Sequence, residues 1–78
     1  MSLFERVQET VAATLKVPPE KITRELRDED LAAWDSLGHV NLVMALEQTF
    51  GVYIEVEDFA NLNSIPGIMG FLEKQGVS

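Results

Sequence analysis

Asp35-Ser36-Leu37-Gly38-His39-Val40-Asn41-Leu42-Val43-Met44-Ala45-Leu46-Glu47-Gln48-Thr49-Phe50-Gly51 reads as one long helix with both ends marked. Asp35 offers a side-chain oxygen to cap the free N–H groups of the first turn. Gly51 suits the left-handed conformation that commonly terminates a helix. Leu37, Val40, Leu42, Val43, Met44, Leu46 and Phe50 are more apolar positions than one buried face needs at about 100° per residue. The helix, from Ser36 to about Phe50, should therefore bury one side and leave a surplus exposed, with Val40 and Met44 its expected members.

Upstream, Leu3, Phe4, Val7, Val11 and Leu15 recur at three- and four-residue steps and predict a helix over roughly 3–16. Ser2 and Glu5 have capping-box spacing at its start, and Val17-Pro18-Pro19 cannot continue it. The stretch from Pro18 to Asp35 is polar, with Ile22, Leu26 and Leu31 as isolated apolar anchors. It is read as a long loop holding one helical turn. Loops of this length tend to be functional and must be tied to the core, and Trp34 is the expected packing anchor. Downstream, Val52 to Val56 has no strand to pair with and should be an extended connection. Glu57 to Leu62 predicts a short helix burying Phe59 and Leu62. Ser64 then caps a last helix carrying Ile65, Ile68, Met69 and Leu72 and ended by Gly76. The expected fold is all-α: a single domain over 1–78, with three longer helices, one short helix and a long loop between the first two.

Composition narrows function. Seventy-eight residues that are 46% hydrophobic suffice for one core, and with no Cys and one His the stability must come from helix packing rather than from disulfides or metals. No metal site is expected, and a thiol would have to come from a cofactor. Thirteen acids against six bases give a formal charge of -7, which repels nucleic-acid phosphates and anionic lipid and attracts basic protein surfaces. No basic leader or membrane-length apolar run is present, so a cytoplasmic protein is expected, with neither nucleic acid nor membrane as partner.

The tripeptide Asp35-Ser36-Leu37 at the mouth of a long helix resembles the motif of the acyl and peptidyl carrier proteins. The run through Val40, Leu42-Val43-Met44-Ala45-Leu46-Glu47 and Phe50-Gly51 is similar to that family's second helix. Loop length, size, acidity and the short helix before a last amphipathic one extend the likeness to the whole chain. The resemblance implies that Ser36, within the Asp35–Leu37 motif, receives 4'-phosphopantetheine from coenzyme A through a phosphopantetheinyl transferase. The chain would then hold acyl groups as thioesters for fatty-acid, polyketide or related biosynthesis and do no catalysis itself. The initiating Met and short tail favour a free-standing carrier, expected to be a monomer. The partner surface implied by the family's interface is an apolar patch of Val40, Met44 and Ile54 within acids Asp35, Glu47, Glu55, Glu57 and Asp58. It would meet acyl-transferring, condensing or ligating enzymes with basic docking surfaces. Gly38, His39 and Asn41 depart from positions often acidic or polar in fatty-acid carriers and bear on which partners are recognised.

The residues admit other readings. A helix mouth suits a phosphodiester on Ser36, because it offers unpaired N–H groups and the positive end of a dipole, but the same position suits a plain capping serine. An aminoacyl or peptidyl carrier, or an acidic helical adaptor that never receives the arm, would keep the same fold. Ser36 and His39 share a helical face, yet a serine nucleophile also needs an orienting third group and an oxyanion site, and no second His or Gly-x-Ser-x-Gly elbow exists. His39 is therefore expected on the surface. Asp28-Glu29-Asp30 lacks the spacing of a calcium loop.

Overall fold

Side-chain caps fix where the three longer helices begin, and a computed structural model describes all of residues 1–78. Ser2 Oγ accepts from the Glu5 N–H at 3.1 Å and the Ser2 N–H donates to Glu5 Oε1 at 2.9 Å, closing the capping box that starts α1, Leu3–Leu15. The bond from the Ser2 backbone holds the Glu5 carboxyl below the usual carboxylate range. Val7, Val11, Ala12 and Leu15 form the buried stripe of this helix.

The first helix stops one residue short of the expected 16. Lys16 adopts the left-handed conformation at φ 60°, and the Val17 N–H reaches back to the Ala12 carbonyl at 3.1 Å. A side chain with a Cβ pays a steric cost there that glycine does not. Lys16 is exposed, so Lys16→Gly should remove that cost without touching the core. We expect a gain of about 0.5–1 kcal/mol after the added freedom of the unfolded chain is subtracted, read from urea midpoints at constant slope.

The long loop holds two 3-10 turns, Pro19–Lys21 and Asp28–Asp30, where one turn was expected. Its attachments explain its order. Gln8 Nε2 donates to the carbonyls of Pro19 and Ile22, both at 3.0 Å, while Ile22 and Leu26 are buried. Farther along, Arg27 pairs antiparallel with Ser64. The Asp28 N–H donates to the Asn63 carbonyl and the Ile65 N–H to the Leu26 carbonyl, each at 2.9 Å. Such pairing between distant segments leaves no local pattern to read. The acids of the second turn are engaged locally: Asp30 Oδ2 accepts from the Arg27 N–H and Glu29 from its guanidinium.

Helix α2 spans Ser36–Phe50 with Asp35 as N-cap and Gly51 left-handed at φ 66°, as its end signals predict. Leu42, Val43 and Leu46 are buried in its core-facing stripe. Residues 52–55 are extended, and α3 follows as a single turn, Val56–Phe59, shorter than the expected 57–62. Leu62 is buried beyond the end of α3, and Phe59 is only half-buried. The difference has a local cause: α3 has no side-chain N-cap, and its C-cap N–H, that of Ala60, turns to the Asp58 carbonyl only two residues back instead of continuing the helical ladder. Ser64 accepts from the Gly67 N–H at 3.0 Å to start α4, Ile65–Lys74, which buries Ile65, Ile68 and Leu72. The left-handed Gly76 closes it, with the Val77 N–H bonded to the Leu72 carbonyl.

Helix α1 packs against both α2 and α4, and one cluster of fifteen buried apolar residues joins α1, α2 and α4 to Ile22, Leu26 and Trp34 of the loop. No helix is long and apolar enough to cross a membrane. The all-α architecture of three longer helices and one short one is that expected from the caps and periodicities.

Candidate functional site

The end of the loop and the start of α2 converge on Ser36. Asp35 Oδ1 accepts from the Gly38 N–H at 2.8 Å, and the Asp35 carbonyl accepts from the His39 N–H, also at 2.8 Å. The N–H groups of Ser36 and Leu37 have no protein acceptor, as the geometry of a helix start requires, and they point with the helix dipole toward this end. No acid lies in the first turn to offset that dipole.

The chain has four serines, and their surroundings separate them. Ser2 is committed to the capping box and Ser64 is buried while capping α4. Ser78 sits at the chain end, where its carbonyl accepts from Arg6. Ser36 alone combines an exposed side chain with a helix mouth whose cap is supplied by a different residue, Asp35. Its hydroxyl is thus free of local duty, and an anionic group on it would lie beside two uncommitted amides. The residues present fit a phosphodiester on this oxygen.

Gly38 explains why the loop approaches so closely. A Cβ built at this position would lie 2.5 Å from the Ala33 carbonyl oxygen and 3.0 Å from a Leu15 methyl. The glycine that weakens the first helical turn by propensity is therefore what lets the loop backbone lie against the helix mouth.

His39 overturns its expected surface placement. It is half-buried, its Nδ1 accepts from the Trp34 indole N–H at 3.1 Å, and its Nε2 lies 2.8 Å from the Phe59 carbonyl. Acceptance at Nδ1 leaves the ring proton on Nε2, so Nε2 donates to Phe59. The imidazole also meets the Phe59 ring edge-on with centroids 4.6 Å apart. Trp34 itself is 4% exposed and is the anchor that the sequence predicts. With both nitrogens engaged, His39 has none left to serve Ser36 as a base.

Around these groups lies a cleft of about 490 Å³, whose lining includes Asp35 and Ser36, Trp34, His39 and Phe59, and also Asp28 and Asn63. Sequence reasoning missed the Phe59, Ala60 and Asn63 side of this cleft, because nothing local links residues 59–63 to residue 36. The only signal was the three-residue spacing of Ser36 and His39, which places both on one face of α2.

The remaining expected surface residues divide. Val40 and Met44 are exposed on α2, 43% and 51%, and Leu37 and Val56 add further apolar surface at 70% and 89%. Ile54 does not belong with them: it is 8% exposed and part of the core. Its N–H donates to Glu47 Oε2 at 2.9 Å, so one oxygen of that half-buried acid is already engaged. Glu55 and Glu57 are exposed and Asp58 is half-buried.

The family model described as "Phosphopantetheine attachment site" matches residues 5–72. A protein of Campylobacter curvus named "Acyl carrier protein" is 42% identical over 77 residues, covering 97% of this chain and 99% of its own. Proteins of the same name from Thermosynechococcus vestitus and Bdellovibrio bacteriovorus are 40% and 34% identical, covering 94% and 97% of this chain and 90% and 97% of their own. The chain belongs to the phosphopantetheine-attachment family of acyl carrier proteins.

Proposed function

We propose that Ser36 is the residue that carries 4'-phosphopantetheine, and that the chain, as one domain, holds acyl groups for fatty-acid, polyketide or related biosynthesis. The observation that carries this reading is the combination at Ser36 of an exposed hydroxyl, a cap supplied by Asp35 and two free amides. The arm supplies the thiol that a chain without Cys lacks. The residues of this chain do the rest: Ser36 Oγ is the point of attachment, the Ser36 and Leu37 N–H groups favour the phosphodiester, and α2 fixes the direction in which it leaves. No residue here acts on the cargo, since the one imidazole near Ser36 is committed to Trp34 and Phe59.

The transferase that modifies Ser36 and the enzymes that acylate, condense or ligate the cargo meet the surface beside it. Val40 and Met44, with Leu37 and Val56, offer apolar contact, and Asp35, Glu47, Glu55, Glu57 and Asp58 surround them with negative charge. A net charge of -7 steers basic partners toward this face and speeds their encounter more than it tightens the complex. Brief contact suits a carrier that must be released after each step. This reading places a monomer in the cytoplasm.

The test is direct. Incubation with coenzyme A, magnesium and a broad-specificity phosphopantetheinyl transferase should add one phosphopantetheine to the intact mass, and Ser36→Ala should abolish the gain while leaving the thermal midpoint within a few degrees. A gain that survives Ser36→Ala, or none with several such transferases, contradicts the assignment.

A further inference from the structure

We propose that the hydrogen bond from His39 to the Phe59 carbonyl sets the depth of the cleft beside Ser36 and restricts this carrier to short or polar cargo; the proposal rests on Ser36 being the tether. His39 lies one turn beyond Ser36 on the same face of α2. Through its two nitrogens it joins three segments: the loop at Trp34, α2, and the end of α3 at Phe59. The ring edge against Phe59 closes the same gap sterically.

Cargo tethered at Ser36 has two places to go, solvent or the cleft. The cleft offers Val40, Phe59 and Ala60 as apolar wall, but its lining also carries Asp28 and Asn63. A short group rests there with its polar atoms near those side chains. The cleft is open to solvent, so a long alkyl chain lying in it stays in contact with water and is enclosed only by passing beneath α3 into the core, where Leu42, Leu46, Leu62 and Ile65 are at most 1% exposed. That passage requires α3 to move from α2, which strips the Phe59 carbonyl and the imidazole Nε2 of their partners in a part-buried setting. Helix α3 is a single turn with no side-chain N-cap, so this link is a principal tie on its position. His39 is thus a specificity-determining residue, acting on cargo through α3.

The test uses the full chain loaded with acetyl or decanoyl arms by supplying the transferase with acetyl- or decanoyl-coenzyme A. Intact mass establishes loading first, and absence of any gain overturns the Ser36 reading and this proposal with it. On the loaded wild-type protein, hydroxylamine should cleave the two thioesters at rates within about twofold of each other, since neither chain is enclosed; each enclosed methylene would slow cleavage by roughly fourfold. The 15N signature of a proton on His39 Nε2 should persist in both forms. His39→Ala, or His39→Leu if the first variant does not fold, should protect the decanoyl thioester by roughly tenfold or more relative to acetyl. Chain-length protection of that size on the wild type overturns the proposal, as does its absence from a folded His39 variant. If neither variant folds, the wild-type comparison decides alone.

Discussion

Trp34→Ala should cost about 3–5 kcal/mol, a large share of the stability of a domain this size. The indole is 4% exposed and holds the end of the long loop against the core. Truncation leaves a cavity and removes the N–H that His39 Nδ1 accepts. The loss has a second consequence at the site: with its partner gone the imidazole can change tautomer, and the bond to Phe59 is no longer fixed. Denaturant unfolding measures the first effect, and the 15N shifts of the His39 ring report the second. A cost below about 1 kcal/mol with an unchanged ring tautomer would show that the loop is held without Trp34.

Gly38→Ala should destabilise by about 1–3 kcal/mol, although alanine is the better helix former and would ordinarily gain about 0.5–1 kcal/mol. The new methyl meets a backbone carbonyl, that of Ala33, and the backbone cannot swing aside as a side-chain tip would. Either the loop lifts from the helix mouth or α2 shifts, and both displace Ser36. An internal control is at hand in Gly70, where nothing lies within 4 Å of a built Cβ. Gly70→Ala should be stabilising by about 0.5–1 kcal/mol. Urea midpoints for the pair separate close approach from helix propensity, and equal effects of the two substitutions would refute the distinction.

Much of the fold was legible because it is written in local chemistry. Ser2 with Glu5, Asp35, Gly51, Ser64 and Gly76 are end signals that act within three or four residues, and each marks the boundary it predicts. The exposed surplus on α2 followed from counting apolar positions, and Val40 and Met44 are exposed as expected. What escaped depends on pairings between distant segments. Leu26 and Asp28 bond to the segment before α4, Gln8 reaches across to the carbonyls of Pro19 and Ile22, and Ile54 turns inward to meet Glu47. None of these contacts leaves a periodic trace.

The site divides in the same way. Asp35, Ser36 and Leu37 are contiguous and could be read directly, whereas Phe59, Ala60 and Asn63 join the cleft only through the tertiary fold. His39 is the clearest case. Its spacing from Ser36 suggested an acid–base pair or a bare surface ring, and only the positions of Trp34 and Phe59 show that it is a structural link. Gly38, which propensity marks as a weakness, proves to be a requirement of packing.

The central claim is that one serine of four is the tether, and site mapping after modification tests it most directly. The wild-type chain, treated with coenzyme A and a transferase, is digested and each serine-bearing peptide weighed. The arm should be found on the peptide containing Ser36 and on no other; an arm on the peptide bearing Ser2, Ser64 or Ser78, or on none, would contradict the account.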